Sequence, residues 1–337
     1  EELETQLQEG PEIQIPPKFL VITIDTEAQY PRAAADPVQE LIYGNFSNGS
    51  AGIIEMMDVA DDAGVKLTFF VDVLEEYLYP GEIRQVMQDI ASRNHDIQLH
   101  QHPWLIPNDI WAEWEGEERW TELNAEKESN LTCWSAGTAE FLVEKMTSIF
   151  VEENISLPIA SRGGSYRFNA NILQSFQQYG VNYSYNYNPP AGNVELNFGR
   201  QDTFQWSNGV YEIPISYMPS ENNEMFDSYK RFDESYWNST TLPSQIDSYF
   251  NESNEGSSVL VMMLHSWSLL GTIDDELDGS YNYVYDGEWR EEAFANFFQN
   301  IPDDVTIITA SELAEKMGNG EITHSSVFDT RVIENKC

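Results

Sequence analysis

Apolar residues along the chain fall into two alternating kinds of run. KFLVITID, VKLTFFVDV and SVLVMMLHSW are short, nearly continuous runs of apolar and β-branched residues. Runs of that kind suit strands buried on both faces. Between them the apolar residues are spaced for helices. SAGIIEMMDVADDAG carries Ile53, Ile54, Met57 and Val59 at near-helical intervals, with Ser50 as the predicted N-cap and Gly64 as the stop. GEIRQVMQDIASR, AGTAEFLVEKMTSIFVEE and NANILQSFQQYG read as further helices, the last ended by Gly180. HDIQLHQH reads as a strand ending at histidines, and IASRGGSYR as a strand running into a Gly-rich turn. EEAFANFFQN, VTIITA and SELAEKMG close the alternation.

Strands that alternate with helices predict an α/β fold with a mainly parallel sheet. In such folds the functional side chains lie at the carboxyl ends of the strands. The polar groups that break the apolar runs sit at those ends: Asp25 and Glu27, His100 and His102, Arg162, and His265. No internal repeat and no interdomain linker is visible, which predicts one domain.

Each of these groups has two readings. Asp25 and Glu27, two apart at a strand end, can face the same side. Two carboxylates in a dry site repel unless a cation or an arginine is shared between them. The alternative is an exposed acidic turn, but the apolar run before them buries their approach. His100 and His102 have the same period-two spacing, so both imidazoles can reach one divalent cation, with a carboxylate as third ligand. An H-x-H pair can equally be a surface pair. His95, beside Asp96, reads as structural. Arg162 can grip a carboxylate bidentately, and backbone N–H groups of the glycine turn can point at a developing oxyanion; a plain turn with a surface arginine fits this segment as well. His265 is either a satisfied core residue or a general acid.

Charge changes the picture of partners. Of the 337 residues 17 are basic and 57 acidic, a formal net charge of −40. Such a surface repels nucleic acid and anionic membranes. It becomes tolerable where salt shortens the Debye length, which predicts a high-salt setting. The alternative is simply an acidic secreted protein. Cys133 and Cys337 are the only cysteines, too few for a disulfide framework or a thiolate metal site; they can pair or stay free. No apolar run approaches a membrane span. Sequons at Asn45, Asn48, Asn130, Asn154, Asn182, Asn238 and Asn251 suit a secreted or cell-surface chain whose signal peptide has been removed. The insert PWLIPNDIWAEWEGEERW gathers Trp104, Trp111, Trp114 and Trp120, either as a platform for sugar rings or as helical packing. IDDELDGSYNYVYDGEW lacks the spacing of an EF-hand and reads as a solvated face.

Taken in order, TIDTE, GVKLTFFVDV, HDIQLHQHP, SRGGSY and MLHSW resemble the motif series of the polysaccharide deacetylase family, carbohydrate esterase family 4. The resemblance runs from about Lys18 to Lys316. It implies a single-domain α/β fold, a distorted (β/α)7-type barrel over 18–316, flanked by an extended leader (1–17) and a C-terminal tail (317–337). It also implies a divalent metal, zinc first, with cobalt, nickel or manganese as alternatives, and water-driven removal of acetyl groups from a polysaccharide or other glycan, N-acetyl before O-acetyl. By the resemblance Asp25 is the catalytic base, Glu27, His100 and His102 bind the metal, Arg162 tethers Asp25, and His265 protonates the leaving group. Trp104, Ser165, Tyr166 and Trp267 are the candidate substrate contacts, and Glu212 in YEIPIS is the candidate acid behind the arginine.

Three departures from the family pattern bear on this reading. The family's consecutive aspartates are Asp-Thr-Glu here, and its second metal histidine would fall at Trp104, so His102 has to replace it. Gly-Gly-Ser stands where Pro-Pro-Tyr is usual. These departures leave two further possibilities, an inactive glycan-binding protein on the same barrel and an amidohydrolase acting on small C–N substrates.

Overall fold

The computed structural model describes residues 17–28, 36–103, 106, 109–110, 134–188, 202–219, 229–252, 258–274 and 281–333. Ten strands form the main sheet: β1 (Lys18–Thr26), β2 (Thr68–Asp72), β3 (Asp96–Gln101), β4 (Ala160–Gly163), β5 (Tyr183–Ser184), β6 (Phe204–Trp206), β7 (Tyr211–Glu212), β8 (Val259–His265), β9 (Val305–Ile307) and β10 (Val327–Phe328). Their order is β8-β1-β2-β3-β4-β5-β7-β6-β10, with β9 paired to the start of β1. From β8 through β7 the seven neighbours are all parallel, and only β6 and β7 run antiparallel. The result is a distorted, open (β/α) barrel of the kind the motif order implies.

Among the described residues seven α-helices connect the strands: α1 (Ile53–Asp62), α2 (Glu82–Ser92), α3 (Ala136–Glu152), α4 (Ala170–Gln178), α5 (Leu242–Glu252), α6 (Trp289–Gln299) and α7 (Ala310–Gly318). In α2 the buried positions are Ile83, Val86, Met87 and Ile90, the i, i+3, i+4, i+7 stripe of an amphipathic helix. Side chains close the helix starts as expected of Asn and Thr caps: Asn169 Oδ1 accepts from Ile172 N at 2.8 Å, and Thr309 forms a capping box with Glu312. Ser50 is not the cap of α1. The helix begins two residues later, after Gly52, whose N–H donates to Glu55 Oε2 at 2.8 Å, while Ser50 Oγ donates to Glu55 Oε1 at 2.5 Å.

The central strands are buried on both faces, and β1 shows how this places the chemistry. Leu20, Ile22 and Ile24 join the large cluster packed with the helices, whereas Phe19 and Val21 join a second cluster with Phe70, Tyr185, Ile213 and Met263. The period of two therefore carries the second face on to Thr23 and Asp25. Residues read as a tail contribute β10, which extends the sheet beside β6. The described residues of the acidic stretch 273–289 contribute to both strands of a small antiparallel pair, Gly271–Asp274 with Tyr281–Val284. Cys133 and Cys337 lie outside the described residues, as do Trp111, Trp114 and Trp120.

Candidate metal centre and active site

The carboxyl ends of β1, β2, β3, β4 and β8 lie side by side, and their register aligns the polar residues that interrupt the apolar runs. Asp25 pairs with His265 across β1 and β8, Asp72 with His100 across β2 and β3, and His100 with Arg162 across β3 and β4. All are withdrawn from solvent: Asp25 is 4% exposed, Glu27 1%, His100 1%, His102 5% and Arg162 0%. Buried charges at this density must neutralise one another or hold an ion.

Glu27, His100 and His102 converge, with one possible ligand atom from each lying within 4.8 Å of the others. Glu27 Oε2 is 3.2 Å from His100 Nε2 and also contacts His102 Nε2, and the two Nε2 atoms are 3.0 Å apart. His100 Nδ1 lies 2.7 Å from the backbone oxygen of Arg162. A carbonyl can only accept, so Nδ1 carries a proton, and Nε2 is the ring atom that faces Glu27. The other histidine is held through its backbone: His102 N donates to Asp72 Oδ2 at 2.8 Å.

Beside this group is an ion pair. Arg162 Nη1 donates to Asp25 Oδ1 at 2.6 Å, and Nη2 donates to Thr23 Oγ1 at 2.6 Å. The grip on Asp25 is thus through one nitrogen and not bidentate, because Thr23 occupies the second arm. The guanidinium carbon lies 4.4 Å from the ring centre of Phe70, a cation–π contact that fixes its plane. Asp25 Oδ2, the oxygen away from Arg162, is 3.9 Å from His100 Nε2.

A protein from Mycobacterium smegmatis assigned as a polysaccharide deacetylase is similar in structure over 95% of this chain and 96% of its own, at 15% identity and a TM-score of 0.57. This chain has the polysaccharide deacetylase fold. More distant likenesses are the Xyl-CE4 domain of a multidomain xylanase from the hindgut metagenome of Trinervitermes trinervoides (13% identity, 93% and 97% of the two chains, TM-score 0.41) and the peptidoglycan deacetylase PdaC of Bacillus subtilis (12%, 90% and 94%, 0.40). These two carry no further argument. No family model and no curated protein matches the sequence.

Whether the residues on this polysaccharide deacetylase fold suit a divalent metal can be tested on their chemistry. Burial works against the charge on Glu27, yet the imidazoles of His102 and His100 outweigh it and hold the carboxyl well below its usual range. Burial likewise lowers His100, but Asp25, Glu27 and Asp72 overcome it and push the imidazole up to about 9. A site that keeps its carboxylate ionised and draws protons onto an imidazole is one with a strong demand for positive charge. Two imidazoles and a carboxylate are also a donor set that suits zinc and related ions. The residues fit.

The remaining candidates are placed less uniformly. His265 stacks on Trp267, ring centres 4.5 Å apart and 14° from parallel, and burial pushes its imidazole down to about 4. Trp267 is 5% exposed, stacks on His265 and has Tyr283 5.5 Å away, so it braces His265. Tyr166 is buried, with its hydroxyl accepting from Arg231 Nη1 at 3.3 Å, and Ser165 is exposed. Both have left-handed backbones, φ 57° and 52°, in the turn that follows Arg162. Such conformations are costly for residues with side chains and cluster at functional sites. Trp104 lies outside the described residues.

One expectation changes. Glu212 does not stand behind Arg162. Its carboxylate accepts from Asn186 N at 2.8 Å, Tyr187 N at 2.7 Å and Trp206 Nε1 at 2.8 Å, and Asn186 Oδ1 in turn accepts from Gly163 N at 2.6 Å. It therefore anchors the β4 turn and not the arginine. Sequence reasoning also passed over Asp72, which burial pushes up to about 6 and which holds His102 in place. Its signal was present: Asp72 ends the apolar run TFFVD as Asp25 ends its own. Arg231 was missed as well, and nothing in YKRF marks it.

Proposed function

We propose that the protein is a metal-dependent hydrolase that removes acetyl groups from a glycan, N-acetyl in preference to O-acetyl. The observation that carries this reading is the convergence of Glu27, His100 and His102 beside an Asp25 carboxylate already paired with Arg162. A divalent cation held by the first three, zinc by its donor set, would supply Lewis acidity and a water acidic enough to ionise near neutral pH. The protein's own residues supply the rest. Arg162 orients Asp25 through Oδ1, which leaves Oδ2 toward the ligand group as the base that takes the proton from water. His265, aligned with Asp25 across the sheet and braced by Trp267, is the proton carrier to the departing nitrogen. The left-handed Ser165–Tyr166 turn follows Arg162, and its backbone N–H groups are the donors assigned to a developing oxyanion.

A secreted or cell-surface location belongs to the same proposal. Asn45, Asn48, Asn154, Asn238 and Asn251, five of the sequon asparagines, are exposed. The excess of 57 acidic over 17 basic residues supports a high-salt setting.

The test is the metal content of the purified protein against His102→Ala, followed by acetate release from acetylated glycans. About one divalent metal per wild-type chain, lost in the variant, together with acetate release is the expected result. A wild type that takes up no metal from added zinc refutes the catalytic reading and leaves a glycan-binding barrel.

A further inference from the structure

We infer that Gly164 is a positioning residue for the metal centre: the space left by its missing side chain is where the His102 imidazole sits. The inference rests on the reading of Glu27, His100 and His102 as ligands for its functional meaning, though the steric dependence itself does not.

Two histidines two residues apart on a strand have Cα atoms roughly 7 Å apart. Their Nε2 atoms are nevertheless 3.0 Å apart, so the rings lean together, centres 4.9 Å apart and 67° from coplanar. The ring of His102 achieves this by lying over the turn at the end of β4. That strand pairs with β3 through His100↔Arg162 and Gln101↔Gly163, which brings Gly164 opposite His102. A Cβ at Gly164 would fall on the imidazole, 2.5 Å from Nδ1 and 2.7 Å from Nε2, separations that real Cβ atoms essentially never show. The φ of Gly164 is outside the left-handed region, so its conformation does not call for glycine. Space does.

Neither wall of this contact can retreat. His102 is fixed by Asp72 at its backbone and by Glu27 and His100 at its ring. The turn is fixed by Asn186 on Gly163 N and by His100 on Arg162 O. A methyl at 164 must therefore expel the imidazole from the ligand group. On this account the Gly-Gly turn and the H-x-H spacing are one device, and neither works without the other.

The experiment is a cycle of four full-length proteins, wild type, Gly164→Ala, His102→Ala and the double variant, each followed by thermal unfolding in metal-free buffer and by titration with Co2+ monitored by absorption. The expected result is a lower Tm for Gly164→Ala in the wild-type background, with most of that loss absent when His102 is alanine. Cobalt affinity should fall roughly 10–100-fold in Gly164→Ala, the effect typical of losing support around a ligand. Gly318→Ala, where an added methyl meets nothing within 4 Å, is the control and should leave cobalt affinity unchanged. Equal Tm losses in both backgrounds, or wild-type cobalt affinity in Gly164→Ala, overturn the inference. A non-additive cycle in a protein whose wild type binds no cobalt retains the interlock and sinks the metal-centre reading instead, so the two failures are distinguishable.

Discussion

Three of the five histidines fall between residues 95 and 102, and the structure gives them two different fates. His100, near the end of β3, and His102, one residue past it, meet a carboxylate. His95 precedes the strand, accepts from Leu67 N at Nδ1 (3.0 Å) and sets its edge against Phe69. Burial, with Lys66 and Arg93 nearby, outweighs Asp61 and pushes its imidazole down to about 4 from an ordinary 6.5. The unfolded chain therefore takes up the proton first as pH falls, so the stability that depends on neutral His95 is present above about 6.5 and is lost toward 4. Wild type should lose about 1 kcal/mol relative to His95→Gln between pH 7.5 and 5.5. Urea unfolding of both proteins at the two pH values measures this, and a gap that stays constant would mean that folding does not shift the pKa of His95. The grouping of His100 with His102, apart from His95, was legible in their period-two spacing. The anchoring of His95 was not, because its partner is a backbone group 28 residues away.

Among the elements, the long strands and helices were readable because each satisfies its burial locally: β1 and β8 are largely apolar and buried along nearly their whole length, and α2 carries a complete stripe. The two- and three-residue strands β5, β6, β7 and β10 were not, since their pairing depends on partners distant in sequence, such as Val327 with Gln205. Glu212 belongs to that hidden part. It was placed behind the arginine by analogy, and its real load is three N–H donors, at Asn186, Tyr187 and Trp206. Burial pushes its carboxyl up to about 7. Glu212→Gln can keep the oxygen that serves Asn186 and Tyr187 while confronting Trp206 Nε1 with another donor. The expected cost is about 1–2 kcal/mol, one buried donor left unmatched, with zinc stoichiometry unchanged because the turn stays anchored. Urea unfolding and metal analysis of the variant check both halves. Zinc loss at full stability would tie Glu212 to the metal centre after all.

At the scale of the whole molecule, five short motifs in order were enough to anticipate a fold that is matched in the solved structures at 15% identity. What the motifs do not specify is the surface, and there the charge decides. Cations are outnumbered so heavily that several serve more than one acid: Lys18 bridges Asp247 and Asp304, Arg93 bridges Asp58 and Asp61, and Arg84 holds Glu76, Glu152 and Glu153. Elsewhere carboxylates face one another. Glu291 is raised by burial and then by Glu55, Glu288, Asp58 and Glu292, with no cation among those causes. Added salt acts on both kinds of contact. It weakens the exposed pairs, each worth about 0–1 kcal/mol, but these are in direct contact at about 3 Å, within the Debye length of about 3 Å at 1 M. The repulsions act over longer distances, reaching about 10 Å at 0.1 M, and are screened first. With a net charge of −40 the repulsive sum dominates, so Tm should rise steadily from 0.05 to 1 M NaCl and equally in KCl. Sodium sulfate should raise it further at matched ionic strength, because sulfate also strengthens apolar burial. A Tm that is flat or falls in NaCl while rising in sulfate would assign the salt response to burial alone and remove the charge from the explanation.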